Sequence, residues 1–248
     1  MSVQQQHGSA LISVMIILLL TTVLGVIAVR QGSTNLNLAM NASVQSLLIQ
    51  SSDVGFAKLE GASTSKSASA IGPLGYLSTA GNEGKEYIFC YRPTLSSDEI
   101  YNINTDAVLL PSGGVEGDVS GFCDVTKSED YSSGRRVVIS QMGVVQPQDA
   151  AVADPFEYYE KGTDPNKVQA PNRERYRAYV TSIAPTLARG VDQTAINNCF
   201  KKKNDVDVAA GSAATSTSDC LFDLGVPSNT QVQDYVLGAE ITKDALAY

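Results

Sequence analysis

From Gly8 to Val29 the chain reads GSALISVMIILLLTTVLGVIAV, a run without a charged side chain that stops at Arg30. As an α-helix rising ~1.5 Å per residue it is about 33 Å long, enough to cross a hydrocarbon core of about 30 Å. From Arg30 to Gly61 there is no proline, and apolar residues recur at Leu36, Met40, Val44, Leu47, Leu48 and Val54, the three-to-four spacing of one helical face. One long helix is therefore expected, with a lipid-soluble first half (9–29) and an amphipathic second half (30–60). A secretory signal peptide is the first alternative. The apolar run is longer than the usual ~7–15 residues, no basic segment precedes it, and no small-x-small cleavage site follows it.

About 187 of the 248 residues follow Gly61, which suits one generous globular head or two small ones. The 20 glycines fit a loop-rich β structure. Gly61 to Ala70, GASTSKSASA, reads as the helix end and a flexible turn. Strands are expected at Lys85–Arg92, which stops at Pro93, at Arg135–Met142 with Val144 and Val145 beyond Gly143, and at Arg175–Ile183, which alternates and stops before Pro185. Val232–Ile241 offers a further strand, and Arg189–Phe200 a short helix running into Cys199. Pro111–Gly121 and the acidic Asp154–Pro171 read as loops, with Asp154-Pro and Asp164-Pro as turn starters. An amphipathic helix needs an apolar surface, and a sheet with one buried face supplies it, so the fold class is α+β.

Cys90, Cys123, Cys199 and Cys220 all lie in the head, and none forms a close CxxC pair. Four thiolates that bind a metal normally come as two such pairs, so disulfides in an oxidising compartment are the better reading. Three connectivities are open; pairing Cys90 with Cys123 and Cys199 with Cys220 closes the shortest loops. The second loop encloses Ala209–Ser218, a stretch too small and polar to hold itself in place. Met1 to Gly8 has no Lys or Arg while Arg30 follows the apolar run, so the positive-inside rule does not favour an inward-facing amino terminus. The cysteines instead put the head in the periplasm or outside the cell.

Beyond Arg30 lie all 26 acidic residues and 17 of the 18 basic ones, a net charge of −9. Such a head repels phosphate backbones, and Lys201-Lys-Lys203 reads as a solvated turn, so no direct nucleic-acid partner is expected. The single histidine is His7, which removes Ser-His-Asp and Cys-His arrangements and histidine metal ligands from the rest of the chain. There is neither a GxxxxGK[ST] loop nor a GxGxxG. Asp205-Val-Asp207 begins like a calcium loop, but Ala209 and Ala210 stand where a ligand and the turn glycine belong. Neither an enzyme nor a cofactor is expected.

The junction of leader and helix is more specific. A short polar leader, Met1 to His7, closes at Gly8, and Ser9-Ala-Leu-Ile-Ser13 opens the apolar helix at once. This resembles the class III leader of type IV pilins and pseudopilins. The resemblance implies cleavage after Gly8 (residues 1–8 forming the leader) by the prepilin peptidase, and N-methylation of Ser9. Glycine suits that cut, since without Cβ it lets a protease approach the backbone closely. The family usually has Phe at the first mature position and Glu at the fifth, where this chain has Ser9 and Ser13. Farther on, Leu38-Ala-Met-Asn41, Leu48-Ile-Gln-Ser-Ser-Asp53 and Phe56-Ala-Lys-Leu-Glu60 resemble the amino-terminal helix of PilX-type minor pilins, Asp53 standing in for a Glu.

That resemblance implies a type IV pilin-like fold: a long helix packed on an antiparallel β-sheet head (61–248) with a disulfide-pinned C-terminal region. It implies a non-catalytic subunit of a tip or priming complex that initiates pilus assembly and so supports motility, adhesion or DNA uptake. The partners would be other minor pilins, the major pilin and a tip adhesin. The location would be the bacterial inner membrane in a single pass, then the pilus tip at the cell surface. In a pilus the Glu neutralises the terminal ammonium of the subunit above, and an unpaired charge buried there costs several kcal/mol. A subunit with nobody above it needs none. The alternatives are a K-type minor pseudopilin of a type II secretion system, which normally carries a large inserted α-domain, and a single-pass membrane-anchored periplasmic binding protein.

Overall fold

The computed structural model describes residues 7–61, 72–95, 106–110, 114–132, 134–147, 174–204 and 215–237. It divides into two compact units, Met1–Ser46 and Leu47–Tyr248, a division that falls inside the first helix rather than at its end. That helix, α1, runs from His7 to Gly61.

Within the first unit the helix is apolar as far as Val29 and mixed beyond it, where Arg30, Gln31, Ser33, Thr34 and Asn35 follow. From residue 11 to 46 every side chain is exposed except the half-buried Val44. Leu11 is 68% and Leu19 66% exposed. Thr21 and Thr22 donate their hydroxyls back to the carbonyls of Leu18 and Leu19, each at 2.9 Å, so the two polar groups in the middle of the run are satisfied within the helix. The helix is long and apolar enough to cross a membrane.

The second unit is built on a six-stranded antiparallel sheet in the order β3-β2-β1-β4-β5-β6. Its strands are β1 (Glu86–Cys90), β2 (Ala107–Leu109), β3 (Val115–Gly117), β4 (Ile139–Val145), β5 (Glu174–Ile183) and β6 (Ser228–Leu237). Among the described residues the unit also holds three α-helices: α2 (Pro73–Leu77), α3 (Gln193–Phe200) and α4 (Thr217–Asp223). β1 and β4 are buried along their whole lengths, as strands covered on both faces must be. The register pairs Phe89 with Met142 and Met142 with Val180, fixing which side chains share a face.

One face carries Tyr87, Phe89, Met142, Val144, Tyr176, Ala178 and Val180, and Phe56 of α1 and Leu77 of α2 join them in one core. The other face carries Cys90, Ile139 and Ile183, packed with Cys123, Ile196, Cys199, Phe200 and Leu221. The sheet thus has the end of α1 on one side and a disulfide-bonded layer on the other: Cys90 is joined to Cys123, and Cys199 to Cys220.

Several boundaries differ from the sequence expectation. β3 lies inside the stretch read as the loop Pro111–Gly121, because it pairs with β2 in a short hairpin. β6 begins at Ser228 rather than Val232. α4 lies where no helix is expected; Ser216 caps it by accepting the Asp219 amide at 3.1 Å. Of the expected helix end and turn Gly61–Ala70, Gly61 does end α1 and the rest lies outside the described residues, as do the loop Asp154–Pro171, Asp205 and Asp207.

Candidate functional site

Gly8, Ser9 and Ser13 all lie in the first two turns of α1, which begins at His7. Ser13 is exposed, within an apolar stretch whose side chains are all exposed.

The second part of the candidate site is the junction of α1 with the sheet. The face that α1 buries is formed by Leu48, Ser52, Gly55 and Phe56, with Ser51 and Leu59 half-buried at its margins. Of the apolar stripe expected from the sequence only Leu48 lies on it; Leu36, Met40, Leu47 and Val54 are exposed. Small residues matter here because they set how close the helix comes. A Cβ on Gly55 would lie 2.9 Å from Val180 Cγ1, so only glycine permits the observed approach. Beside it runs a chain of hydroxyls. Ser51 Oγ lies 2.8 Å from Ser140 Oγ, which lies 2.8 Å from Ser182 Oγ. Ser52 Oγ is 2.9 Å from Ser182 Oγ and 3.1 Å from the Leu48 carbonyl oxygen. Four hydroxyls with one proton each can satisfy one another in series and end on a backbone carbonyl, so the buried seam carries polar groups at little cost. At the end of the helix Glu60 accepts hydrogen bonds from Gln233 Nε2 and Tyr235 Oη, both at 3.1 Å. Burial, with this bond second, holds the Tyr235 phenol well above its ordinary value of 10.0.

The opposite face is held by buried polar clamps that the sequence did not announce. Gln141 Oε1 accepts the Cys123 amide at 3.0 Å and its Nε2 donates to the Phe200 carbonyl at 2.8 Å, tying both disulfide-bearing segments to β4. Glu86, fully buried, accepts the Asn204 amide at 2.9 Å and its Nδ2 at 2.7 Å. A Cβ on Gly143 would lie 2.5 Å from Glu86 Oε1 and 2.8 Å from Asn204 Nδ2, so the glycine makes room for this pair. Arg92 Nε meets the fully buried Asp130 at 2.6 Å, and Asp130 Oδ2 accepts the Asp124 amide at 2.8 Å. Lys203, read as part of a solvated run, donates to the Gly84 carbonyl at 2.8 Å.

Comparison with known proteins adds nothing to these observations. No protein-family model, curated protein or solved structure matches this chain.

Among the described residues no group of three or more His, Cys, Asp or Glu side chains is placed to hold a metal ion. What the described residues present is an exposed apolar helix surface, a helix held to a sheet through small residues and hydroxyls, and a disulfide-cross-linked opposite face. The signal for the helix seam was present as Ser51, Ser52 and Gly55 at i, i+1 and i+4, but a search for apolar periodicity passes over it. Glu86 stands beside Lys85 at the start of one β-rich run and Gln141 beside Ser140 in another, and polar residues so placed read as solvated rather than as buried clamps.

Proposed function

We propose that this chain is a minor pilin of the PilX type. It is inserted in the inner membrane by residues 9–29, with its head in the periplasm, and later stands at the tip of a type IV pilus. There it joins other minor pilins to prime polymerisation of the major pilin. The observation that carries this reading is the single helix His7–Gly61, whose first part is an exposed apolar rod and whose last part lies on an antiparallel sheet. Such a helix serves two states in succession, first in lipid and then against neighbouring helices, without refolding. The two disulfides accord with a head that matures in an oxidising compartment.

The deciding experiment is intact-mass spectrometry of the protein purified from its own membranes. A chain that starts at Ser9 and carries one added methyl group is the expected species. Replacing Gly8 by a bulky residue is expected to leave the full-length form in the membrane and to abolish piliation or reduce it sharply. A wild-type chain that retains Met1 overturns the reading in favour of an uncleaved anchored protein.

A further inference from the structure

The two edges of the sheet are unlike. β3 has three residues, all exposed, and its Glu116 is held by Lys85 at 2.7 Å, so that edge is short and charged. β6 has ten residues in unbroken register with β5, without a proline, a lysine or a bulge. Among the described residues no strand pairs with its outer side. Protein sheets usually blunt such an edge, because its row of outward N–H and C=O groups is complementary to any extended backbone.

A second observation falls beside the same edge. Thr230 of β6 lies 2.9 Å from Thr181 Oγ1 through its own Oγ1, which also accepts from Ser218 Oγ of α4 at 3.2 Å, so α4 touches β6. Val232, two residues on and therefore on the same side of the strand, is 52% exposed. α4 carries Phe222, which is 81% exposed between the exposed Asp219 and Asp223. This is not a loose element: Leu221 is fully buried and Cys220 is bonded to the buried Cys199. An aromatic ring held out in water on a cross-linked helix gains nothing for the free chain.

We propose that the outer edge of β6, with Val232 and Phe222, is a docking surface for an extended segment of another polypeptide. The segment adds a seventh strand through main-chain hydrogen bonds, sets an apolar side chain against Val232 and Phe222, and brings a Lys or Arg to Asp219 and Asp223. Backbone pairing supplies affinity in such strand addition and side-chain contacts supply selectivity. Opposite charge at the rim speeds and orients the encounter with a head that is acidic overall. The inference is independent of the pilin reading: a wild-type chain that keeps Met1 removes that reading and leaves this one standing.

The test uses the full-length protein in detergent micelles and a fluorescent synthetic peptide, Lys-Val-Thr-Val-Thr-Val-Thr-Val-Lys. The expected result is saturable binding that slows amide hydrogen exchange at alternate residues of β6. Val232→Lys and Phe222→Ser, both at exposed positions, are expected to weaken binding at least about tenfold while leaving circular dichroism and both disulfides unchanged. A peptide with proline at its centre is expected not to bind. The proposal is overturned by absence of binding, by equal binding of the proline peptide, or by binding that leaves β6 exchange unaltered. It is equally overturned if the outward amides of β6 are already protected in the free chain, since the edge is then occupied by the protein itself.

Discussion

Gly55 of α1 and Val180 of β5 stand so close that a Cβ on the glycine would lie 2.9 Å from Val180 Cγ1. Valine has a stiff χ1, so the clash cannot be relieved by swinging a long side chain away. Gly55→Ala is therefore expected to destabilise the head by about 1–3 kcal/mol, the usual range for overpacking, despite alanine's better helix propensity. Gly25 and Gly32, where a Cβ would have nothing within 4 Å, are the controls; alanine there is expected to be neutral or stabilising. Thermal unfolding of the full chain in detergent checks this, and equal melting points for all three variants would show that the helix does not need its close approach.

That relationship also shows how much could be read in advance. The apolar run of α1 and the strands β1, β4 and β5 were legible, since both signals are dense: twenty-odd uncharged residues, and strands rich in Tyr, Ile, Phe and Val. The face of α1 that is buried was not. Periodicity counts large apolar residues, whereas contact with the sheet is made through Ser51, Ser52 and Gly55, and Met40, Leu47 and Val54 are left exposed. β2 and β3 are three residues each, too short for any pattern, and exist because pairing with β1 and with each other stabilises them. α4 has a signal in its cap, since Ser216 and Asp219 stand at the spacing of a capping box, but the small polar residues before it mask that signal.

Arg92 and Asp130 give a second prediction. Arg92 also donates from Nη2 to the Ser120 carbonyl at 2.7 Å, so removing its side chain takes the cation from a fully buried carboxylate, which keeps the Asp124 amide, and a donor from that carbonyl. Arg92→Ala is expected to cost about 3–5 kcal/mol in urea unfolding, as breaking a buried pair does. The double variant Arg92→Met/Asp130→Leu is expected to recover most of that loss. If the double variant is as unstable as Arg92→Ala, the pair is not the source of the effect.

The Glu60–Tyr235 contact sets an alkaline limit. A phenol whose folded pKa is raised holds its proton more tightly in the folded state, so its contribution to stability is complete below the ordinary value of 10.0 and is lost as the pH rises through the folded value. Stability of the wild type is therefore expected to fall above about pH 10, and Tyr235→Phe to flatten that fall while losing the bond to Glu60. Ultraviolet titration at the tyrosinate band checks the cause. Loss of an early-titrating tyrosine in Tyr235→Phe, rather than a late one, would refute it.

The most consequential prediction concerns Ser13, which under the proposed pilin reading takes the position where pilins usually carry a glutamate. In the proposed tip position no subunit above offers an amino terminus, so a carboxylate at residue 13 has no cation to meet. A serine hydroxyl in a helix needs no partner from another chain, since it can bond back to a carbonyl about one turn earlier, as Thr21 and Thr22 do here. Ser13→Ala is accordingly expected to leave piliation nearly unchanged. Ser13→Glu must either hold its proton or stay charged in an apolar surrounding at a cost of a few kcal/mol, and it is expected to lower the number of pili. Counting pili on cells that express each variant from the native locus separates the cases, with membrane levels of the protein measured alongside to exclude a failure of insertion. Should Ser13→Glu assemble more pili than the wild type, the carboxylate has found an ammonium above it, and the subunit belongs in the shaft.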